Sequence, residues 1–236
     1  MHPTIDDRKF PVGGIAPSPS SFRARDGHAP QDPIRLAVLI SGGGRTLLNL
    51  QQRIEDGSLR AVIATVISSR EDVAGVERSR EAGLPTLVIE RRGLTSDAFQ
   101  RELTQAVAGA DLVCMAGFLS LWRIPDEYYG RVINIHPALL PDFGGAGMYG
   151  SRVHEAVLAA RKTISGCTVH FCDNQYDHGP IILQRTAPVL PGDTPDTLAA
   201  RVFEQECIAY PQAIQLFADG RISLEAGTVR IIPQAK

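Results

Sequence analysis

From residue 35 onward, short apolar runs alternate with segments whose apolar residues recur at helical spacing. Arg35–Ile40 is an apolar run, which predicts a central strand, and Ser41-Gly42-Gly43-Gly44 is a turn. In residues 45–55, Leu47, Leu48, Leu50 and Ile54 recur with helical period, predicting a helix. The same alternation predicts strands at 60–67, 86–89, 111–116 and 131–135, with helices at 71–82 and 95–107 between them. Gly83 ends the first of these helices, and Thr95 or Ser96 caps the second. Further on, 154–161 reads as a short helix, and 167–172 and 181–189 as neighbouring strands. Residues 195–218 read as a long helix or a pair interrupted at Pro211, and 221–232 as a hairpin turning at Ala226-Gly227. Strands alternating with helices give an α/β class with a mostly parallel twisted sheet and helices on both faces.

Residues 1–33 break this pattern. Pro3, Pro11, Pro17, Pro19, Pro30 and Pro33 stand among serines, with few large apolar groups. Such a stretch cannot bury enough surface to offset its ordering entropy, so a disordered extension is expected there, with a single domain over 34–236. The chain is 44% hydrophobic and 21% charged with a net charge of -2, which removes any global electrostatic case for nucleic acid. No apolar run approaches the roughly 18 residues of a membrane span, and no secretory signal core is evident at the N-terminus. Cys114, Cys167, Cys172 and Cys207 form no C-x-x-C pair, so free thiols and a reducing, cytoplasmic setting are expected. Small-molecule substrates, no nucleic acid, no membrane, and a monomer or homodimer follow as expectations.

The candidate chemistry gathers at strand ends. In Asn134-Ile135-His136-Pro137 the Asn and His are two apart on a strand, so both side chains point the same way. A hydrogen-bond donor beside an imidazole on a rigid strand end suits acyl-group chemistry; alone, the pair is equally a capped strand end. Ser41–Thr46 joins a strand to a helix through glycines, a place to hold an anion or simply a tight turn. It is neither a Walker loop nor a good dinucleotide fingerprint, although Arg70 after the second strand keeps an NADP-dependent oxidoreductase as an alternative. The loop after the 167–172 strand holds Asp173, Asp177 and His178, with His170 before it. Asp177 precedes His178-Gly179-Pro180 and so sits in a turn, where it would raise the pKa of a catalytic His. Asp173 reads as a loop-capping residue, His178 as a solvated turn residue, and His170 as a strand histidine or a support for the site. No ligand pair has structural-zinc spacing, so no metal is expected.

Together these residues resemble the phosphoribosylglycinamide formyltransferase family. The matching segments run in order: Leu39-Ile40-Ser41-Gly42, Ala116-Gly117-Phe118, Asn134 to Pro141, Gly166-Cys167-Thr168-Val169-His170, Asp177-x-Gly179-Pro180-Ile181-Ile182, and Glu206 with Tyr210-Pro211. The resemblance implies a Rossmann-like formyltransferase fold. It implies transfer of the formyl group of 10-formyltetrahydrofolate to the amine of glycinamide ribonucleotide in purine synthesis. Asn134, His136 and Asp177 match the catalytic trio. Gly44, Arg45 and Thr46 would hold the ribonucleotide phosphate, and Glu206 would contact the substrate near its ribose. Leu119, Ser120, Leu121 and Trp122 would flank the pterin with Asn134 and the loop Asp173, Asn174, Gln175, Tyr176 and Asp177. Another 10-formyltetrahydrofolate-dependent formyltransferase or a hydrolase would share the trio.

The chain departs from that family at three places. Gly43-Gly44-Arg45-Thr46 stands where Asn-Gly-Ser-Asn is common, so backbone contacts carry over and side-chain contacts do not. An Arg that often contacts the folate tail falls near Ser96, leaving Arg91 or Arg92 to substitute. The loop at 142–150 is longer than in several relatives.

Overall fold

A computed structural model describes residues 22–23, 32–225 and 227–233. Seven strands form one sheet in the order β4-β3-β2-β5-β6-β7-β8. These are β2 (Ile34–Ile40), β3 (Ala61–Ser68), β4 (Thr86–Val88), β5 (Leu112–Met115), β6 (Val132–His136), β7 (Ile164–Phe171) and β8 (Ile181–Pro188). The first five run parallel, and β7 and β8 run antiparallel to their neighbours. The helices are α1 (Arg45–Glu55), α2 (Ala74–Glu81), α3 (Ser96–Ala106), α4 (Ser151–Ala159) and α5 (Pro195–Ala218). A smaller antiparallel sheet joins β1 (Phe22–Arg23) to the hairpin of β9 (Ile222–Glu225) and β10 (Thr228–Ile231), with Phe22 opposite Leu224. The extension expected over residues 1–33 therefore lies largely outside the described residues.

β2 is apolar at every position but Arg35 because both of its faces are covered. Leu36, Val38 and Ile40 pack into one core with Leu47 and Leu50 of α1 and Leu198, Val202 and Ile214 of α5. Ala37 and Leu39 point the other way, into a second core with Phe99 and Leu103 of α3. Each fully buried Leu or Ile contributes about 1.5–3 kcal/mol by leaving water. β8, at the sheet's edge, instead alternates buried and exposed residues.

Four elements differ from the pattern reading. α2 starts at Ala74 rather than Glu71, because Val73 before it is still extended, with φ -119° and ψ 141°. α5 is one continuous helix through Pro211 rather than a pair. Pro211 costs a backbone hydrogen bond, but Tyr210, Ala213, Ile214 and Phe217 around it are buried and hold the helix together. A reciprocal cap at Thr194 and Thr197, with Pro195 in the first turn, starts it. α4 starts at Ser151 rather than His154, because Gly150 at φ 59° turns the chain into it and the exposed Ser151 and Arg152 carry no apolar signal. β7 starts at Ile164, a residue that is 54% exposed and so weakens the strand signal there.

The strand order reverses at β2, which has β3 on one side and β5 on the other. In open α/β sheets such a reversal opens a crevice at the carboxyl ends of the strands. Here the Ser41 amide, just beyond β2, bonds the Gly117 carbonyl, just beyond β5, at 3.1 Å. Ser41 Oγ lies 2.6 Å from Ser69 Oγ and accepts from the Leu119 amide at 3.0 Å, which fixes the start of the 119–122 segment.

Candidate active site

A cavity of about 720 Å³ opens at the carboxyl ends of these strands and takes in residues from α1, β5, β6, α4, the 173–177 loop and α5. That volume suits one large or two small organic ligands. Asn134 and His136 reach it from the end of β6, as strand alternation requires.

β7 completes this end of the site. In its antiparallel register His170 stands directly opposite Asn134, and Thr168 opposite His136. Asn134 Nδ2 lies 3.2 Å from His170 Nε2 and donates to Asp177 Oδ1 at 3.3 Å. His170 Nδ1 donates to the Phe171 carbonyl at 2.8 Å, so its Nε2 is free to accept from Asn134. The amide is thus oriented from two sides. Thr168 Oγ1 donates to the Ala138 carbonyl at 2.7 Å and accepts from the Leu140 amide at 3.0 Å, which holds the chain leaving His136. Tyr210 of α5 ties down the strands themselves, its hydroxyl lying 2.9 Å from the Met115 carbonyl and 3.1 Å from that of Ile133.

Asp177 is aimed by backbone geometry. It has φ 53°, a left-handed conformation Asp tolerates, and the following Gly179 is indispensable because a Cβ there would sit 1.9 Å from the Phe171 carbonyl oxygen. Oδ2 accepts from the Gly145 amide at 3.0 Å and lies 3.5 Å from His136 Nδ1; Oδ1 lies 3.7 Å from His170 Nε2. A Cβ on Gly144 would meet Leu140 Cδ2 at 2.4 Å and Asp177 Cβ at 3.1 Å, so a side chain there would have to push the end of Leu140 aside. Burial works to raise the Asp177 pKa, but the neighbouring His170 and His136 rings and the Gly145 amide outweigh it and hold it below the usual carboxylate range. Asp177 is therefore a carboxylate at neutral pH.

His136 corrects the expectation that its aspartate neighbour would leave it with a raised pKa. The side chain is 4% exposed, and burial lowers its pKa by more than Asp177 and the Phe143 carbonyl raise it. His136 Nε2 donates to the Phe143 carbonyl at 2.8 Å, so the neutral ring turns its Nδ1 lone pair toward Asp177. An imidazole in this state takes up a proton when negative charge develops beside it. The Asn134 and His136 N–H groups rest on His170, Asp177 and the Phe143 carbonyl; an oxyanion that displaces one of these partners can take its place, with a carboxylate behind to favour the proton His136 takes up.

At the α1 side, Gly44 adopts φ 73° and packs against Gly75, where a Cβ would meet Gly75 Cα at 2.9 Å. Gly44 itself does not line the cavity; Arg45 and Thr46 do. No side chain caps α1, so the amides of its first turn are left to a ligand. The Arg45 guanidinium lies 4.3 Å from the centre of the Phe203 ring. Glu206, one helical turn on from Phe203, lines the cavity, and burial lifts its carboxyl to about 7 against the pull of Arg45. Arg78 of α2 donates to the Gly43 carbonyl at 2.6 Å and steadies the loop.

The residues expected to flank a pterin divide. Leu119 and Leu121 are exposed apolar side chains in the cavity wall, as is Tyr176 across from them. Trp122 reaches the cavity lining, but its indole is 1% exposed, packs edge-on to Tyr128 at 5.5 Å and donates to Thr104 Oγ1 at 3.2 Å, so most of it is anchored in the second core. Asn174 lies outside the cavity lining, and its Oδ1 accepts the Ile124 amide at 2.8 Å. Asp173 caps its own loop through the Gln175 amide at 2.8 Å and holds His178 Nδ1 at 2.7 Å. Arg91 and Arg92 are exposed and outside the cavity wall, while Arg70 is paired with Asp72 at 2.9 Å. Among the described residues no group of three or more His, Cys, Asp or Glu is placed to hold a metal, and no helix is long and apolar enough to cross a membrane.

Comparison with known proteins agrees with this geometry. A family model described as formyl transferase matches residues 34–214. The chain is 35% identical over 196 residues to the phosphoribosylglycinamide formyltransferase of Escherichia coli, covering 81% of this chain and 90% of that one. It is 41% identical over 195 residues to the trifunctional purine biosynthetic protein adenosine-3 of Drosophila pseudoobscura, covering 80% of this chain and 14% of that much longer protein. The crystal structure of glycinamide ribonucleotide transformylase 1 from Symbiobacterium toebii superposes with a TM-score of 0.79 at 40% identity, covering 85% and 95% of the two chains.

Proposed function

The chain belongs to the formyl transferase family, and from that premise we propose that it transfers the formyl group of 10-formyltetrahydrofolate to the amine of glycinamide ribonucleotide, a step of purine synthesis. The observation that carries this reading is the trio itself. Asn134, His136 and Asp177 converge on one cavity wall with their donors and carboxylate already oriented. The acceptor is supported by the names of the relatives and by the uncapped, arginine-flanked start of α1, which suits a phosphate.

In the proposed reaction the acceptor amine attacks the formyl carbon, forming a C–N bond and an oxyanion. Asn134 and His136 hold that oxyanion, and Asp177 stabilises the charge His136 gains as it takes up a proton. Collapse breaks the bond from the formyl carbon to the folate nitrogen. The proton lost by the amine ends on that nitrogen, so no co-reactant is consumed. Leu119, Leu121 and Tyr176 offer an apolar wall for the flat pterin, and Glu206 is available to the ribose hydroxyls. We assign the catalytic unit to residues 34–236, with 1–33 as an extension that meets it where Phe22–Arg23 pair with β9, acting in the cytoplasm as a monomer or homodimer.

The test is release of tetrahydrofolate from 10-formyltetrahydrofolate by the purified chain, with and without glycinamide ribonucleotide. Release that depends on the amine supports the proposal. Equal release without the amine would make the chain a hydrolase and sink it.

A further inference from the structure

We propose that His154 is a ligand of the acceptor's phosphate, joining the start of α1 and Arg45 in an anion subsite built by three helices. The inference rests on the proposed reading that the acceptor is a phosphorylated amine. His154 sits in the first turns of α4, is 4% exposed and lines the cavity. α4 packs on α5, and α5 on α1, so His154, Phe203 with Glu206, and Arg45 converge from three helices on one side of the sheet.

The observation that singles it out is an orphaned atom. His154 Nδ1 is buried and has no hydrogen-bond partner. Among the described residues the other such side-chain atoms are Asn49 Oδ1, Arg60 Nε and Ser165 Oγ, and none of those residues lines the cavity. A buried polar atom left unpaired costs about 1–3 kcal/mol, which a ligand atom can relieve once the ring turns to bring that nitrogen to the cavity.

The electrostatics say what kind of ligand fits. Burial pushes the His154 pKa down, and His136 and Arg45 push it further. The ring is thus neutral, and with the Glu206 carboxyl of the same cluster lifted to about 7 and so only part-ionised at neutral pH, the neighbourhood is short of negative charge. The uncapped amides of α1 and the Arg45 guanidinium add to that shortage. A phosphate dianion removes it, and its oxygens can accept from the imidazole and the α1 amides together. A neutral ligand would satisfy the nitrogen but leave the cationic surroundings unanswered.

The experiment compares glycinamide ribonucleotide with its dephosphorylated riboside in the full chain. His154→Phe keeps the ring volume and removes both nitrogens. It should raise KM for the ribonucleotide about 10- to 100-fold, as expected for a lost charge-assisted hydrogen bond. The folate KM, kcat, and kcat/KM for the riboside should stay within about twofold. His154→Asn, which returns one N–H, should recover part of the loss and serves as the readout where the Phe variant does not fold. An equal loss with riboside and ribonucleotide, or a loss confined to the folate KM, overturns the proposal. Should the wild-type chain release tetrahydrofolate without needing the ribonucleotide, the proposed function fails first. Titration of wild type and His154→Phe with inorganic phosphate then decides the subsite alone. Tighter binding by the wild type supports it, and equal binding overturns it.

Discussion

Asp177→Asn isolates the electrostatics of the candidate site. The substitution keeps the side chain's size, and Asn tolerates the left-handed backbone at this position as well as Asp does. Its Oδ1 can still accept the Gly145 amide, so the loop keeps its anchor. What disappears is one negative charge 3.5 Å from His136 Nδ1. At that separation and an effective dielectric of about 20, the lost attraction for a protonated ring is about 5 kcal/mol at most. The new NH2 takes the place of Oδ1, where it can donate to His170 Nε2 but no longer accepts from Asn134. His136 should therefore titrate lower still, by up to about 3.5 pKa units. If the imidazolium forms only as the oxyanion does, kcat should fall about 10- to 1000-fold while both KM values move little. The assays are steady-state kinetics with 10-formyltetrahydrofolate and glycinamide ribonucleotide, and NMR titration of the His136 ring. Near-normal kcat, or a His136 pKa that rises, would refute the reasoning and leave Asp177 as a structural residue.

Three further outcomes are expected. Arg45→Ala should raise KM for the ribonucleotide at least tenfold and leave the folate KM unchanged; a larger folate effect would mean the wrong substrate has been put at the start of α1. Glu206 has a folded pKa near 7, above its ordinary 4.5, so its charge is a burden that is absent below about 4.5 and fully present above 7. Glu206→Gln should therefore gain melting temperature over wild type as pH rises from 5 to 8, by at most about 3 kcal/mol and less with solvent screening, while its ribonucleotide KM rises; a difference that does not change with pH would refute the assignment. Thr194→Ala removes the reciprocal cap of α5 and should cost about 1 kcal/mol in denaturant unfolding with kcat unchanged.

What the sequence made legible was what local chemistry dictates. Helix α1 falls on Arg45–Glu55 as its apolar spacing predicts, and Asn134 and His136 face one cavity because strand geometry leaves no choice. Asp177 could be put in a turn from the residues after it. His170 could not be assigned, because only the antiparallel register of β7 puts it across from Asn134, and register between distant strands is not written in either strand alone. The charge state of His136 went astray for a related reason. A neighbouring carboxylate can be guessed from motifs, but the burial that outweighs it is a property of the assembled core. Trp122 ends a segment that lines the cavity, and only packing shows that most of its indole is anchored in the second core. His154 carried no motif, since an orphaned nitrogen exists only once its surroundings are built.

The Gly145 amide on Asp177 divides one loop into two regimes. Before it, Gly144 is pressed between Leu140 and Asp177, so a side chain there would have to push the end of Leu140 aside. After it, Gly145, Gly147 and Gly150 have open space but φ of 96°, 85° and 59°, which favour glycine, and Ala146, Met148 and Tyr149 line the cavity between them before α4 fixes the far end. Side-chain changes at 146, 148 and 149 can then reshape this wall without moving Asn134, His136 or Asp177. A lineage can accordingly try new ligands by drifting in three positions, and a designer can randomise those three while the trio stays fixed.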